Sequence, residues 1–263
     1  LVADEENQLC AVMDKVEEAA KAVGEKYGVP YYTDAEQMLK EVACDAVYIA
    51  TPVFCHYEQA MLALKYDRNV LIEKPIARTE KESAEILDAF KKAGKQLSVG
   101  YMMKYHSLHQ KARNFIKKDK VGQVTNVRLQ FSCWYPEIPG AWRQIKALGG
   151  GGALMDLGVH CLELAEYILD EEIVDVKSFM NTQPFIYEVE DSAVVIFKTK
   201  SGTLGHIDVN FNIPDDVSVS KLEFYGTKGC IIAKGTLSQV EGGEVEVLPV
   251  EDAGGYDAKQ NRS

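Results

Sequence analysis

Up to about residue 100 the chain alternates short apolar runs with longer stretches in which apolar positions recur every three or four residues. The runs Leu9–Met13, Ala46–Ala50, Val70–Ile72 and Leu97–Val99 read as buried strands, with Tyr31-Tyr32 as a briefer one. Between them helices are predicted over Glu17–Lys26, after Thr33 or Asp34 through Leu39, over His56–Tyr66 and over Glu80–Lys92. Gly28 is placed as a helix stop, Thr33 or Asp34 as an N-cap, and Thr79 with Glu82 as a capping box. Short apolar strands alternating with amphipathic helices predict a parallel, doubly wound sheet.

Beyond Gly100 the pattern changes. A helix is expected over Ser107–Lys118, and Val127, Leu129, Phe131 and Cys133 alternate with polar residues as in a half-buried strand. Ala193–Lys198 with Thr203–Phe211, and Leu222–Tyr225 with Cys230–Ala233, read as two hairpins, with Val245–Leu248 as an edge strand. The expected fold is therefore α/β plus α+β: an incomplete Rossmann-type parallel sheet over residues 1–101, then an open antiparallel sheet with flanking helices over 102–263. One face of that sheet should pack on helices and the other meet water or an oligomer partner. The tail Glu251–Ser263 is polar and expected to be poorly ordered.

Composition narrows the function. The 263 residues carry 29 basic and 40 acidic side chains, a net charge of −11, which argues against nucleic acid or an anionic membrane as the main partner. Six scattered cysteines (Cys10, Cys44, Cys55, Cys133, Cys161, Cys230) form no C-x-x-C pair and suit reduced thiols in a cytoplasmic protein. No apolar run approaches the ~20 residues of a membrane span.

Three places carry candidate chemistry. Lys74, in Glu73-Lys74-Pro75, falls at the carboxyl end of a strand, the edge at which open α/β sheets bind ligands; the alternative is a surface ion pair. Asp14 ends the first apolar run, where an acid can meet ribose hydroxyls or simply cap the next helix. Gly149–Gly152 leads into an expected helix, Ala153–Leu169, whose apolar stripe is Leu154, Leu157, Cys161, Leu164 and Ile168. Asp156, His160, Glu163 and Tyr167 form a polar stripe beside it, with Asp156 and His160 neighbours at a spacing of four. A solvated helix face explains that stripe equally well. No third ligand accompanies the Asp/His pair, so no metal site is expected, and the glycines are not followed by the Gly-Lys-Ser/Thr of a P-loop.

Ala50-Thr51-Pro52 with His56, Glu73-Lys74-Pro75, and Gly151–His160 in this order and spacing resemble the Gfo/Idh/MocA oxidoreductases (glucose-fructose oxidoreductase, inositol dehydrogenase). The resemblance extends through Val99-Gly100-Tyr101 and Trp142-Arg143 and covers nearly the whole chain. It implies a dehydrogenase or reductase that moves hydride between NAD, or NADP as the alternative, and a secondary alcohol of a sugar or cyclitol, in a homo-oligomer. Lys74, Asp156 and His160 match the catalytic positions. Asp14, Thr51, Pro52, His56, Glu73 and Lys74 are assigned to cofactor, with Asp14 favouring NAD and Lys15 beside it weakening that preference. Lys74, Tyr101, Lys104, Arg143, Asp156 and His160 are assigned to substrate.

The chemistry agrees with this. Losing hydride from a secondary alcohol requires its hydroxyl proton to leave, and histidine can accept one near neutrality. Asp156 could orient the ring, while Lys74 could stabilise the developing negative charge or take the proton itself.

Departures from the family pattern touch substrate identity. Met102–Ser107 lacks the usual two arginines, with Lys104 in place of one; Asp67 replaces a helix-ending glycine; and position 163 is Glu. No G-x-G-x-x-G precedes Asp14. We therefore expect a fragment, with roughly 25–30 upstream residues carrying the first strand and glycine loop, and with returning C-terminal helices absent. Such a fragment should hold cofactor weakly or not at all. Two other readings use the same fold: a non-catalytic dinucleotide or sugar sensor, and a redox-neutral hydrolase or lyase that returns its NAD unchanged.

Overall fold

Residues 6–250 are described by a computed structural model, and the chain divides between Gly100 and Tyr101 into two units. The first contains β1 (Val12–Met13), α1 (Glu17–Tyr27), β2 (Tyr31–Tyr32), α2 (Ala35–Glu41), β3 (Ala46–Ile49), α3 (His56–Lys65), β4 (Asn69–Ile72), α4 (Glu80–Ala93) and β5 (Leu97–Val99). Every strand pairing here is parallel, in two pieces: β1 with β2, and β3-β4-β5 with β4 central. The apolar run at Leu9–Met13 yields only two strand residues, because its partner β2 is itself two residues long.

Local chemistry sets the helix ends. Asp34 caps α2 by accepting the Gln37 amide at 2.7 Å, and Thr79 caps α4 by accepting that of Glu82 at 3.1 Å. The Glu82 carboxylate reaches back to the Arg78 amide and guanidinium rather than to the amide of Thr79, so the expected capping box is only half formed. Gly28 closes α1 at φ +67°, and Asp67 also takes a left-handed conformation, at +62°. Ile49, Val70 and Ile72 from the strands meet Ala60 and Ala63 of α3 and Ile86 and Phe90 of α4 in the core. Burial of each large side chain contributes about 1.5–3 kcal/mol.

The second unit contains α5 (Ser107–Lys117), β6 (Val124–Ser132), α6 (Lys146–Gly149), a π-helical turn (Leu154–Gly158), α7 (Val159–Leu169), β7 (Ile173–Asn181), β8 (Ser192–Thr199), β9 (Leu204–Asn210), β10 (Lys221–Gly226), β11 (Gly229–Lys234) and β12 (Glu244–Pro249). Its seven-stranded sheet runs β12-β11-β10-β6-β9-β8-β7. The expected antiparallel sheet needs one correction: β6 and β9 pair in parallel, because the chain crosses through α7, β7 and β8 before returning beside β6. The strand β7 was not expected from the sequence. It lies at the sheet edge and is exposed along nearly its whole length, so no alternation marks it.

Leu157, Cys161, Leu164 and Ile168 pack on one face of this sheet against Val127, Leu129, Ile207, Val209, Leu222 and Phe224. The pairing register places Phe179, Ile196, His206, Arg128 and Glu223 on the other face. Among the described residues no helix is long and apolar enough to cross a membrane. The expectation about Glu251–Ser263 lies outside the described residues.

Candidate active site

Parallel pairing aligns the carboxyl ends of β3 and β4, and the turns leaving them hold Thr51-Pro52 and Glu73-Lys74-Pro75. The Glu73 amide still donates to Ile49 across the sheet at 2.9 Å, so the ladder continues to the residue before Lys74. The Glu73 carboxylate is held inside this unit: the Tyr48 hydroxyl donates to it at 2.5 Å. Burial, then the hydrogen bond to Glu73, pushes the Tyr48 phenol up to about 12. Gly100 gives that carboxylate room, since a Cβ there would stand 3.2 Å from it. Thr51 donates to the Gln59 side chain at 2.6 Å. His56 is buried with both ring nitrogens on backbone carbonyls, which makes its surroundings main chain rather than solvent.

Asp14 is exposed at the carboxyl end of β1, and one of its oxygens accepts the Val16 amide at 2.8 Å ahead of α1. The bond closes a local turn ahead of the helix and is not a helix cap, since the N-cap of α1 is Val16, with no side-chain cap; it leaves the second Asp14 oxygen available for another donor. Exposed or half-buried polar groups thus stand at the carboxyl end of β1 in one parallel sheet and of β3 and β4 in the other, the ends at which open α/β sheets bind ligands.

In the second unit the four glycines lead into the π turn rather than directly into an α-helix. Gly152 permits this: a Cβ there would lie 1.9 Å from the Glu190 carbonyl oxygen, the atom that accepts the Ala153 amide at 2.9 Å. The Glu190 carboxylate accepts the next amide, Leu154, at 3.0 Å and so caps the helix start. The wider π turn alters the angle between Asp156 and His160 from that of a regular helix, a device frequent at functional sites. The polar stripe is not a solvated face. His160 is 5% exposed, and the Asp156 and Glu163 side chains are 31% and 18% exposed.

Around that stripe, Arg143 approaches Asp156 at 4.0 Å and lies over the Trp142 ring. Tyr101 meets His160 edge to face with ring centres 6.3 Å apart. Lys104 stands 3.7 Å from Glu163, whose carboxyl is pushed up by burial and pulled back by Lys104. Lys104, Tyr105, Gln110, Glu163, Glu166 and Tyr167 line a cavity of about 460 Å³. The second unit therefore brings together Tyr101, Lys104, Arg143, Asp156 and His160 from scattered sequence positions.

Cys133 and Tyr135 also feel the Asp156 charge, the Cys133 thiol being pushed up to about 11 mainly by burial. The alternation Val127, Leu129, Phe131, Cys133 extends to Tyr135, so a signal for it existed; Glu190, ahead of a strand, reads from the sequence as a turn or interface residue and not as a helix cap. Among the described residues no group of three or more metal-ligating side chains occurs.

Residues 2–101 match the oxidoreductase family with an NAD-binding Rossmann fold, and residues 109–232 match the Gfo/Idh/MocA C-terminal domain. The chain is 31% identical to a D-glucoside 3-dehydrogenase of Escherichia coli over 84% of its own length and 68% of that protein. It is 24% identical to a 1,5-anhydro-D-fructose reductase of Ensifer adhaerens over 83% of its length and 66% of that protein. An aldose-aldose oxidoreductase from Caulobacter crescentus, solved with glycerol, superposes with a TM-score of 0.85 at 26% identity, covering 97% of this chain and 79% of that one. The chain thus spans about two thirds of the length of these curated relatives. With both of its units matched, each to the corresponding half of the family, the chain belongs to the Gfo/Idh/MocA oxidoreductases.

Proposed function

We propose that this protein oxidises or reduces a secondary hydroxyl of a sugar or cyclitol with NAD as hydride acceptor or donor. The observation that carries the reading is His160: a buried imidazole placed by a π-helical turn one turn beyond a partly exposed carboxylate, on a helix whose remaining inner face is apolar. Asp14, Thr51 and Lys74 are the residues that would hold the dinucleotide, which when bound supplies or accepts the hydride. His160 takes the hydroxyl proton and Asp156 orients its ring, while Lys74 is assigned to the reaction by its match to the family's catalytic lysine. Arg143, Tyr101 and Lys104 contact other substrate hydroxyls. Names of relatives that act on a glucoside and an anhydro-sugar support a pyranose-like substrate.

The test is a panel of polyols, sugars and glycosides offered to the full-length protein with NAD and NADP, followed by nicotinamide absorbance. Turnover of at least one sugar is expected, and His160→Ala and Lys74→Ala should each lower kcat by about a hundredfold or more. A panel without turnover, or variants as fast as the parent, would overturn the reading.

We further propose a homo-oligomer joined through the open face of the seven-stranded sheet. Phe179, 88% exposed, stands there with Val194, Ile196 and Leu204 beside the charged Arg128 and Glu223. Six free thiols fit a reducing, cytoplasmic setting.

A further inference from the structure

His56 opens α3 and is 1% exposed. Its Nδ1 lies 2.9 Å from the Pro75 carbonyl oxygen and its Nε2 2.9 Å from that of Thr51. One carbonyl belongs to the turn leaving β4, the other to the turn leaving β3. A carbonyl only accepts, so each ring nitrogen faces a group that takes an N–H, and a ring carrying both protons donates to both. His109 offers a contrast within the same chain. It faces one carbonyl, of Met103, and one hydroxyl, of Thr236, and a single ring proton satisfies both.

We propose that His56 is a positioning residue for Lys74. It ties the Thr51-Pro52 turn to the Lys74-Pro75 turn, and the Pro75 carbonyl it holds is one residue from Lys74. With both nitrogens turned to the main chain and the ring enclosed, His56 acts through the lysine and does not touch a ligand. This role rests on Lys74 working in catalysis as proposed above. A displacement of about 1 Å at a reacting group can lower turnover about a hundredfold, so a loop tie of this kind has kinetic weight.

The test compares His56→Leu, which keeps bulk without donors, with His56→Gln, whose amide nitrogen carries two N–H groups. Both are made in the full-length protein and read in two ways. Amide exchange is independent of turnover: the leucine variant should exchange about tenfold faster at Cys55 and Glu73, whose amides are bonded beside the two tied turns to the Pro52 and Ile49 carbonyls, as expected for losing about 1.4 kcal/mol of local hydrogen bonding, with the Val70 amide at the far end of β4 unchanged. In kinetics the leucine variant should lose about ten- to a hundredfold in kcat with little change in KM for NAD, and the glutamine variant should recover part of both effects.

Parental exchange at those amides overturns the proposal, as does faster exchange with unaltered kcat. Should the leucine variant not fold, His56→Asn, too short to reach both carbonyls, decides by the same two readings. A Lys74→Ala variant with full turnover would instead defeat the functional reading, and the exchange result would still report whether the tie exists.

Discussion

His109 shows how one buried side chain can set the acid response of the second unit. Burial first, opposed by its bond to the Met103 carbonyl, pushes its imidazole down to about 4. The hydrogen bonds agree: the neutral ring donates to Met103 at 2.7 Å and accepts from the Thr236 hydroxyl at 2.9 Å. Because the folded value lies below the ordinary one of 6.5, the unfolded chain binds the extra proton first as pH falls. Stability contributed by the neutral ring is thus whole above about pH 6.5 and is lost between there and about pH 4, by roughly 2–3 kcal/mol. Urea midpoints measured across this range should fall for the parent and fall less for His109→Gln. At this scale the sequence made Lys74, Asp156 and His160 legible through motif order. It could not distinguish a helix-capping Asp14 from a ribose-binding one, and the atoms show one oxygen closing a turn onto Val16 without capping the helix. Glu190 reads in the sequence only as a turn or interface residue before a strand, because its partners, the amides of Ala153 and Leu154, lie more than thirty positions earlier in the chain.

The start of the helix that carries His160 depends on a close approach between elements. Gly152→Ala would press a methyl group into the Glu190 carbonyl, and neither backbone can yield without loosening the cap on Leu154. A destabilisation of about 1–3 kcal/mol is expected by chemical denaturation, with turnover falling further than stability alone explains because Asp156 lies in the π turn and His160 follows it at the start of α7. Elements with a strong period were readable: Leu157, Cys161, Leu164 and Ile168 of the apolar stripe leading through α7 are buried as their spacing indicated. The π turn was not, since a stretch read at 3.6 residues per turn gives no sign of one wider turn. The strand β7 was missed for the opposite reason: exposed on both faces, it has no pattern to read.

For the whole molecule, the open sheet face has a measurable consequence. An exposed patch containing Phe179 and Ile196 is costly to leave in water, and charge placed there should oppose self-association. Ile196→Lys together with Phe179→Glu should move the mass seen by light scattering towards a single chain while leaving the circular dichroism unchanged; an unchanged mass would remove this face as the interface. The parallel pairing of β6 with β9 has a different consequence, one of timing. The central strand is translated first, and its two partners begin about seventy and ninety residues later. At roughly 5–20 residues per second, β6 waits on the order of ten seconds with both edges unpaired. During that interval α7, made earlier than either partner, can cover its apolar face but not its edges. A nascent chain of this family member is therefore most vulnerable to chaperone capture or aggregation just before β9 emerges.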